Sequence, residues 1–393
     1  MKIKKRKILI LGSTGSIGHS TLSVVKKYQN KLDIVCLSSN KNYKKLYKQA
    51  KLFNVKNIII NDSIYFKKAS NYLSNQKIKV FSNISEYFKK NKKKIDLTIV
   101  GISGIEGLDP TLKIIPFTNS IASANKESII CGWKFINLKL KKFKTNFIPI
   151  DSEHFSVWSL LNNDEDLISK IYLTASGGPF LNTSLNKLKN INVKNVIRHP
   201  NWTMGKKIST DSASMMNKVF EVIEASKIFN LNINKIKVII HPKSIIHAIV
   251  TFKNGLIKFL MHDTNMEIPI FNIIFKNYKY NFYNNTDINF SHLNGINFIK
   301  PDSKKFPYLN ILKKYKKSNS YFEIILVTIN DELVRCFLTN KISFIKMQTL
   351  LIKFINKKAF KKYYNKCPEK INDVYIMVNK VKKYLKENDK IFK

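Results

Sequence analysis

The residues best suited to chemistry are Asp151-Ser152-Glu153-His154. They follow the apolar Phe147 and Ile148, which read as the end of a strand, so two carboxylates two positions apart would leave one face of that strand together. Anions held this close repel and raise each other's proton affinity unless a cation lies between them. A hard divalent ion taking oxygen ligands removes the conflict. In isolation an Asp-x-Glu pair is ordinarily a solvated loop feature. What reverses that reading is a carboxylate-bearing segment downstream and a glycine-rich turn upstream.

Downstream, Asp211-Ser212 offers good helix-start residues ahead of Met215-Met216-Asn217-Lys218-Val219-Phe220-Glu221. On a helix Asn217, Lys218 and Glu221 share one face. The plain alternative is a solvated Lys–Glu pair. Yet Met215, Met216, Phe220 and Ile223 surround it with apolar side chains, and an enclosed Lys-plus-Glu cluster suits a phosphate beside a metal. A strand at 170–174 leads into Ala175-Ser176-Gly177-Gly178-Pro179-Phe180, a turn whose N–H groups and hydroxyl fit an oxyanion. Arg198-His199-Pro200-Asn201-Trp202-Thr203-Met204-Gly205 fits no regular element. It reads either as an anchored loop or as a lid whose Trp202 and Met204 exclude water. After a strand at 238–240 comes His241-Pro242-Lys243-Ser244, and His247 reads as a ligand contact or, more ordinarily, a core histidine.

Upstream, a strand at 7–11 runs into Gly12-Ser13-Thr14-Gly15-Ser16-Ile17-Gly18 and then a helical stretch at 19–28. Strand, glycine turn and helix in that order bring a helix N-terminus to a pyrophosphate. A second strand at 33–38 ends in Ser38-Ser39-Asn40-Lys41-Asn42, without the acid that holds a ribose 2′-hydroxyl in NAD-specific folds. Hydroxyls, amides and an ammonium suit a 2′-phosphate, so the expected cofactor is NADP(H). Further strands are expected at 57–60, 77–81, 95–100 and 120–124, with Asn125-Lys126-Glu127 at a strand exit where α/β sheets bind ligands.

The 393 residues carry a formal charge of +43, which invites a nucleic-acid reading. Arginine occurs only at Arg6, Arg198 and Arg335, however, so 66 of the 69 basic residues are lysine. Selection for phosphate and base contacts favours the planar arginine fork, and lysines spread along the whole chain load solvated faces instead. With 44% hydrophobic and 12% aromatic residues, several cores are affordable. Cys36, Cys131, Cys336 and Cys367 form no metal or redox spacing, which suits a reducing cytoplasm. No apolar run reaches the roughly 18–20 residues of a membrane span. Residues 277–285 are polar and aromatic and read as linker; beyond 302, amphipathic stretches such as 321–338 and 372–385 read as a helical bundle.

Seven of these segments, from Gly12-Ser-Thr-Gly-Ser-Ile-Gly18 through Ala124-Asn-Lys-Glu-Ser128, Asp151-Ser-Glu-His154, Ser176-Gly-Gly-Pro-Phe180, Arg198-His-Pro-Asn-Trp202 and Met215-Met-Asn-Lys218 to His241-Pro-Lys-Ser244, stand in one order. Order and intervals resemble the 1-deoxy-D-xylulose 5-phosphate reductoisomerase family. The resemblance implies an α/β fold: a Rossmann-like N-terminal domain (1–150), a catalytic and dimerising α/β domain (151–276), a linker (277–301) and a C-terminal helical domain (302–393). It implies a divalent metal, magnesium, manganese or cobalt, on Asp151, Glu153 and Glu221, with Lys126 beside the chemistry. Substrate contacts would be Ser152, Glu153, Ser176, His199, Ser212, Asn217, Lys218 and Glu221. NADPH contacts would be Thr14, Gly15, Ser16, Ile17, Asn40, Lys41, Asn42, Asn125, Lys126 and Glu127, with Met204 and Gly205 from a flap that also carries Trp202.

The family reaction breaks a C–C bond of a deoxyketose phosphate in retro-aldol fashion, re-forms it at another carbon and reduces the resulting aldehyde with NADPH. A cytoplasmic homodimer with no nucleic-acid or membrane partner is implied. The chain departs from the family at Asn40, Ala175 and Val219, where glycine is usual, and across 261–267, which keeps Met266 but lacks the usual Gly, Pro, Asp and Arg. Three rivals are distinguishable: a basic nucleic-acid binder would need no NADPH, a plain dehydrogenase would not rearrange the carbon skeleton, and a degenerate member would not turn over.

Overall fold

Short runs centred on buried apolar residues make the strands of the first sheet. β1 (Arg6–Leu11), β2 (Leu32–Ser39), β3 (Asn57–Ile60), β4 (Lys79–Phe81), β5 (Ile95–Val100), β6 (Thr118–Ser123) and β7 (Asn146–Pro149) form one parallel sheet in the order β4-β3-β2-β1-β5-β6-β7. Ile8 to Ile10, Ile58 to Ile60, and Leu97, Ile99 and Val100 are buried, as strands covered on both faces must be. The order reverses between β1 and β5, and at such a switch point the loops diverge and leave a crevice beyond the strands' carboxyl ends. The structure, a computed structural model, describes residues 5–161, 167–276, 280–282 and 290–392. Of the expected linker 277–301, residues 277–279 and 283–289 lie outside them.

The described residues fall into two compact units. The first holds this sheet and comprises residues within 1–128, 134–155 and 265–286. Its last segment contributes the helix Glu267–Ile274, fastened to the helix Ser16–Lys27 by the rings of Tyr28 and Phe275, 4.9 Å apart, and by the Arg6 guanidinium on the Ile274 carbonyl.

The second unit is built on a mixed sheet ordered β11-β10-β8-β9: β8 (Ile168–Ala175), β9 (Ile236–Ile240), β10 (Ile246–Phe252) and β11 (Ile257–Met261). β8 and β9 are parallel, and β10 runs antiparallel to both β8 and β11. Ile171, Leu173, Ala248 and Val250 of the sheet pack with Val222 and Ala225 of the helix Met216–Ile228. Helices Tyr321–Leu338, Phe344–Ile355 and Ile371–Asn388 form the expected C-terminal bundle. The bundle is tied to the helices Lys206–Ala213 and Met216–Ile228 by Asn330 donating to Asp211 at 2.8 Å and by a buried Lys227–Glu323 ion pair at 2.8 Å. Among the described residues no helix is long and apolar enough to cross a membrane.

Candidate active site

In the first unit the glycine turn is locked from below. Ser38 Oγ accepts from Gly12 N–H at 3.0 Å, and Ser13 donates to the Ser38 carbonyl at 2.9 Å. Gln49 holds Ser13 twice, accepting from its hydroxyl at 2.8 Å and donating to its carbonyl at 3.0 Å. A Cβ on Gly12 would stand 2.8 Å from backbone atoms of Gly101, so the turns after β1 and β5 approach as only glycine permits. The helix Ser16–Lys27 that follows differs from its neighbours. Asn42, Asp62, Asn83 and Asn125 each cap their helix with a side chain, whereas Gly15 offers none and the first turn carries no acid. Its leading N–H groups and positive dipole end suit a phosphate.

Lys45 reaches back to the Thr14 carbonyl at 3.2 Å. Burial, with the Lys45 charge added, holds His19 below the usual imidazole range. Sequence reasoning passed over this lysine, whose only signal was its place in the turn after Asn42. At the end of β2, Ser39 Oγ lies 3.1 Å from Thr14 Oγ1 of the glycine turn, with Asn40, Lys41 and Asn42 following. One carboxylate does enter here: Asp62, at the exit of β3, lies 3.8 Å from the Lys41 ammonium while capping its own helix through Ile64 and Tyr65 N–H. It comes from the neighbouring strand, so the reading of β2 alone could not see it.

At the exits of β6 and β7 the predicted residues assemble further. Asn125 caps the helix Lys126–Phe143 and donates to the Ile102 and Gly104 carbonyls at 2.6 and 2.8 Å, joining the β6 exit to the loop after β5. Glu127 accepts from Gly104 N–H at 3.3 Å. The Lys126 ammonium pairs with Asp151, and His154 Nδ1 lies 3.2 Å from the same carboxylate. Ser152 donates to Glu153.

One correction concerns the local geometry. Asp151 and Glu153 are not successive outward residues of a strand: β7 ends at Pro149, and the helix Ser152–Leu161 begins at once, with the Asp151 carbonyl accepting from Phe155 N–H at 2.7 Å. The two acids therefore stand at a helix start, where the dipole favours negative charge.

In the second unit Glu221 is fully buried, and both Lys218 and Asn217 donate to it, as sharing one helix face requires. Asp211 does not start this helix. It lies within Lys206–Ala213, and the chain breaks at Ser214 and Met215, the latter at φ 63°, before Met216–Ile228 begins. Gly177 and Gly178 both take positive φ, giving the expected open turn.

Ser176 Oγ lies 3.0 Å from His199 Nε2 and accepts from Gly178 N–H at 2.9 Å. His199 Nδ1 accepts from the N–H groups of Asn201 and Trp202 at 3.2 and 3.0 Å, which puts the ring hydrogen on Nε2. Ser176 thus accepts twice, and its own O–H remains a donor, the polarity an anionic oxygen calls for. Asn201 roots the same loop by donating to the Pro242 carbonyl and to Ser244 Oγ, each at 2.8 Å.

The chain has relatives among known proteins. Residues 8–132 match the family model described as 1-deoxy-D-xylulose 5-phosphate reductoisomerase, and residues 147–229 and 261–384 match two models of that enzyme's C-terminal domains. The reductoisomerase of Pelagibacter ubique is 53% identical over 94% of this chain and 96% of its own length. That of Clostridium tetani is 33% identical over 97% and 99%. Among solved structures, the Zymomonas mobilis enzyme in complex with NADPH aligns with a TM-score of 0.85 at 29% identity, covering 96% of this chain and 97% of that one. A DOX-P reductoisomerase in complex with NADPH, fosmidomycin and magnesium aligns with a TM-score of 0.88 at 28% identity, covering 97% and 98%. By these relatives, near full length on both sides, the chain belongs to the 1-deoxy-D-xylulose 5-phosphate reductoisomerase family.

Proposed function

We infer that the protein is an NADPH-dependent oxidoreductase that rearranges and reduces 1-deoxy-D-xylulose 5-phosphate to 2-C-methyl-D-erythritol 4-phosphate, a step towards isoprenoid precursors. The observation that carries this reading is the fully buried Glu221 carboxylate with Lys218 and Asn217 on it, in a chain whose relatives carry the same name. Asp151, Glu153 and Glu221 would hold the metal: three carboxylates are a hard, all-oxygen donor set, which fits magnesium or manganese. The uncapped helix after Gly15, with Lys45 beside the turn, fits the cofactor's phosphates. When bound, the metal supplies Lewis acidity at the substrate's ketone and the nicotinamide supplies hydride.

The chain's own residues do the rest. Ser176, Ser212, Asn217 and Lys218 bind the remote phosphate, and that binding energy orders the reacting end. His199, by accepting from Asn201 and Trp202 while donating to Ser176, couples the phosphate turn to the root of the flap. Trp202 and Met204 then cover the substrate and exclude water while the carbon skeleton is cut and rejoined. Lys126 pairs with the Asp151 carboxylate and orients it.

Adding 1-deoxy-D-xylulose 5-phosphate to the protein with NADPH and magnesium should consume NADPH and yield the branched product. Chelating the metal should stop both. NADPH loss without skeletal rearrangement would reduce the activity to that of a dehydrogenase, and no loss at all would overturn it.

The protein is further proposed to act as a cytoplasmic homodimer. Among the described residues β11 pairs only with β10, and Ile257 and Phe259 on this edge are 66% and 50% exposed. Exposed apolar side chains on an unpaired edge strand are commonly covered by a partner, and a second copy covers them most simply. Phe259→Lys should convert the dimer to a monomer by sedimentation with the far-UV spectrum unchanged. A dimer that survives it would place the contact elsewhere.

A further inference from the structure

His247 in β10 and His262, the residue after β11, form a pair that the proposed chemistry leaves unused. Ile246 pairs with Met261, and the register then slips before Ala248. A slip of this kind turns the intervening side chain out of the regular alternation. Here it brings His247 onto His262, whose N–H donates to the Ile245 carbonyl at 2.9 Å. The two imidazoles stack with ring centres 3.9 Å apart and planes 22° from parallel.

Backbone carbonyls fix both rings. His247 Nε2 lies 3.1 Å from the carbonyl of His262, and His262 Nδ1 lies 2.7 Å from that of Asp263. A carbonyl only accepts, so each of these nitrogens carries hydrogen. Burial above all, then the neighbouring His247, pushes the His262 pKa down to about 3, so that ring stays neutral at working pH and the pair can stack without repulsion. Trp202 meets His247 nearly edge to face, with centroids 5.9 Å apart and planes at 67°. The indole, the inner imidazole and the outer imidazole therefore form a column of three rings in the second unit.

We propose that His262 is a positioning residue for the flap: its stack on His247 fixes the seat against which Trp202 closes over the substrate. The proposal rests on Trp202 acting as the lid in the function argued above. His262 would touch no reacting atom, so its contribution belongs in substrate capture.

The test uses the full-length chain labelled with 5-fluorotryptophan, the Trp202 resonance being assigned with Trp202→Phe against Trp133 and Trp158. His262→Gly should shift or broaden the Trp202 signal and leave the other two in place. It should also raise KM for the deoxyketose phosphate about five-fold, the scale of one such ring contact, with kcat and NADPH affinity nearly unchanged. His262→Phe keeps a ring and should restore both signal and KM. His262→Asn keeps a donor near the Asp263 carbonyl but no ring and should behave as His262→Gly, so the idea stays open to refutation should the glycine variant misfold. An unmoved Trp202 signal in the ringless variants, or a phenylalanine variant as impaired as they are, overturns the proposal. The spectra need no turnover, so a wild type that fails to consume the substrate would sink the functional reading and leave the seat to be judged on the resonances.

Discussion

Glu221→Gln is expected to lower turnover at least about a hundred- to a thousand-fold, the scale of removing one group that stabilises developing charge in a closed site. The amide is isosteric, so the loss would report charge and ligation, not volume. A second consequence follows from packing. Glu221 is fully buried and Lys218, itself 5% exposed, pairs with it. Removing one partner of a buried ion pair strands the other, at a cost of roughly 3–5 kcal/mol, so the melting temperature should fall as well.

The two effects separate in the double variant Lys218→Met/Glu221→Gln. It removes the stranded ammonium and should recover much of the stability while turnover stays lost. NADPH binding, read by the change in nicotinamide fluorescence, should persist in both variants, because the glycine turn belongs to the first unit. Manganese binding, followed by its paramagnetic signal, should weaken in both. Turnover within three-fold of the parent, a factor worth less than ~1 kcal/mol, would remove Glu221 from the ligand set.

How much of this was legible in the chain depends on the range of the physics involved. β3 and β5 and the helix Tyr321–Leu338 fall where the sequence puts them, because short apolar-rich runs and a 3.6-residue period are local signals. The sequence points Asp151 to a strand exit because the apolar residues before it dominate the pattern. The competing signal, an acid followed by Glu153 in a first turn and then Phe155, Val157 and Leu161, is that of a helix start, and it prevails. The break at Met215 had no signal at all, since a methionine at positive φ is held there by its surroundings and not by its own preference.

Asp62 beside Lys41, Lys45 over Thr14 and His262 on His247 are cross-element contacts. They depend on strand order and register, which one chain read alone does not specify. The acidic and glycine-rich segments stand out in the sequence for the opposite reason: each is a short run whose residue types suit a ligand.

Gly18→Ala should weaken NADPH binding and destabilise the first unit together, whereas Gly15→Ala should weaken binding alone. A Cβ on Gly18 would stand 2.4 Å from the Cα, C and O of Ser13, all backbone atoms, so no side chain can swing aside to admit it. Ser13 cannot retreat either, since its N–H bonds to the Ser38 carbonyl and Gln49 grips its hydroxyl and carbonyl. Either the helix Ser16–Lys27 moves off the turn or the turn leaves its seat on β2, and overpacking of this kind costs about 1–3 kcal/mol or more.

At Gly15 the nearest neighbour of an added Cβ is the Gly12 carbonyl oxygen at 3.4 Å, and its φ of −85° suits any residue. The fold therefore tolerates alanine there, but the methyl would sit at the uncapped helix start, where a phosphate must come close. NADPH affinity should drop about ten-fold, or about 1.4 kcal/mol, while the melting temperature stays near that of the parent. Were both variants to melt normally and bind NADPH normally, the glycine turn would be a structural feature and the cofactor would have to lie elsewhere. Were Gly15→Ala alone to bind normally, the pyrophosphate would approach the turn from a direction the Gly15 methyl does not obstruct, and Lys45 and the β2 exit would carry more of its charge.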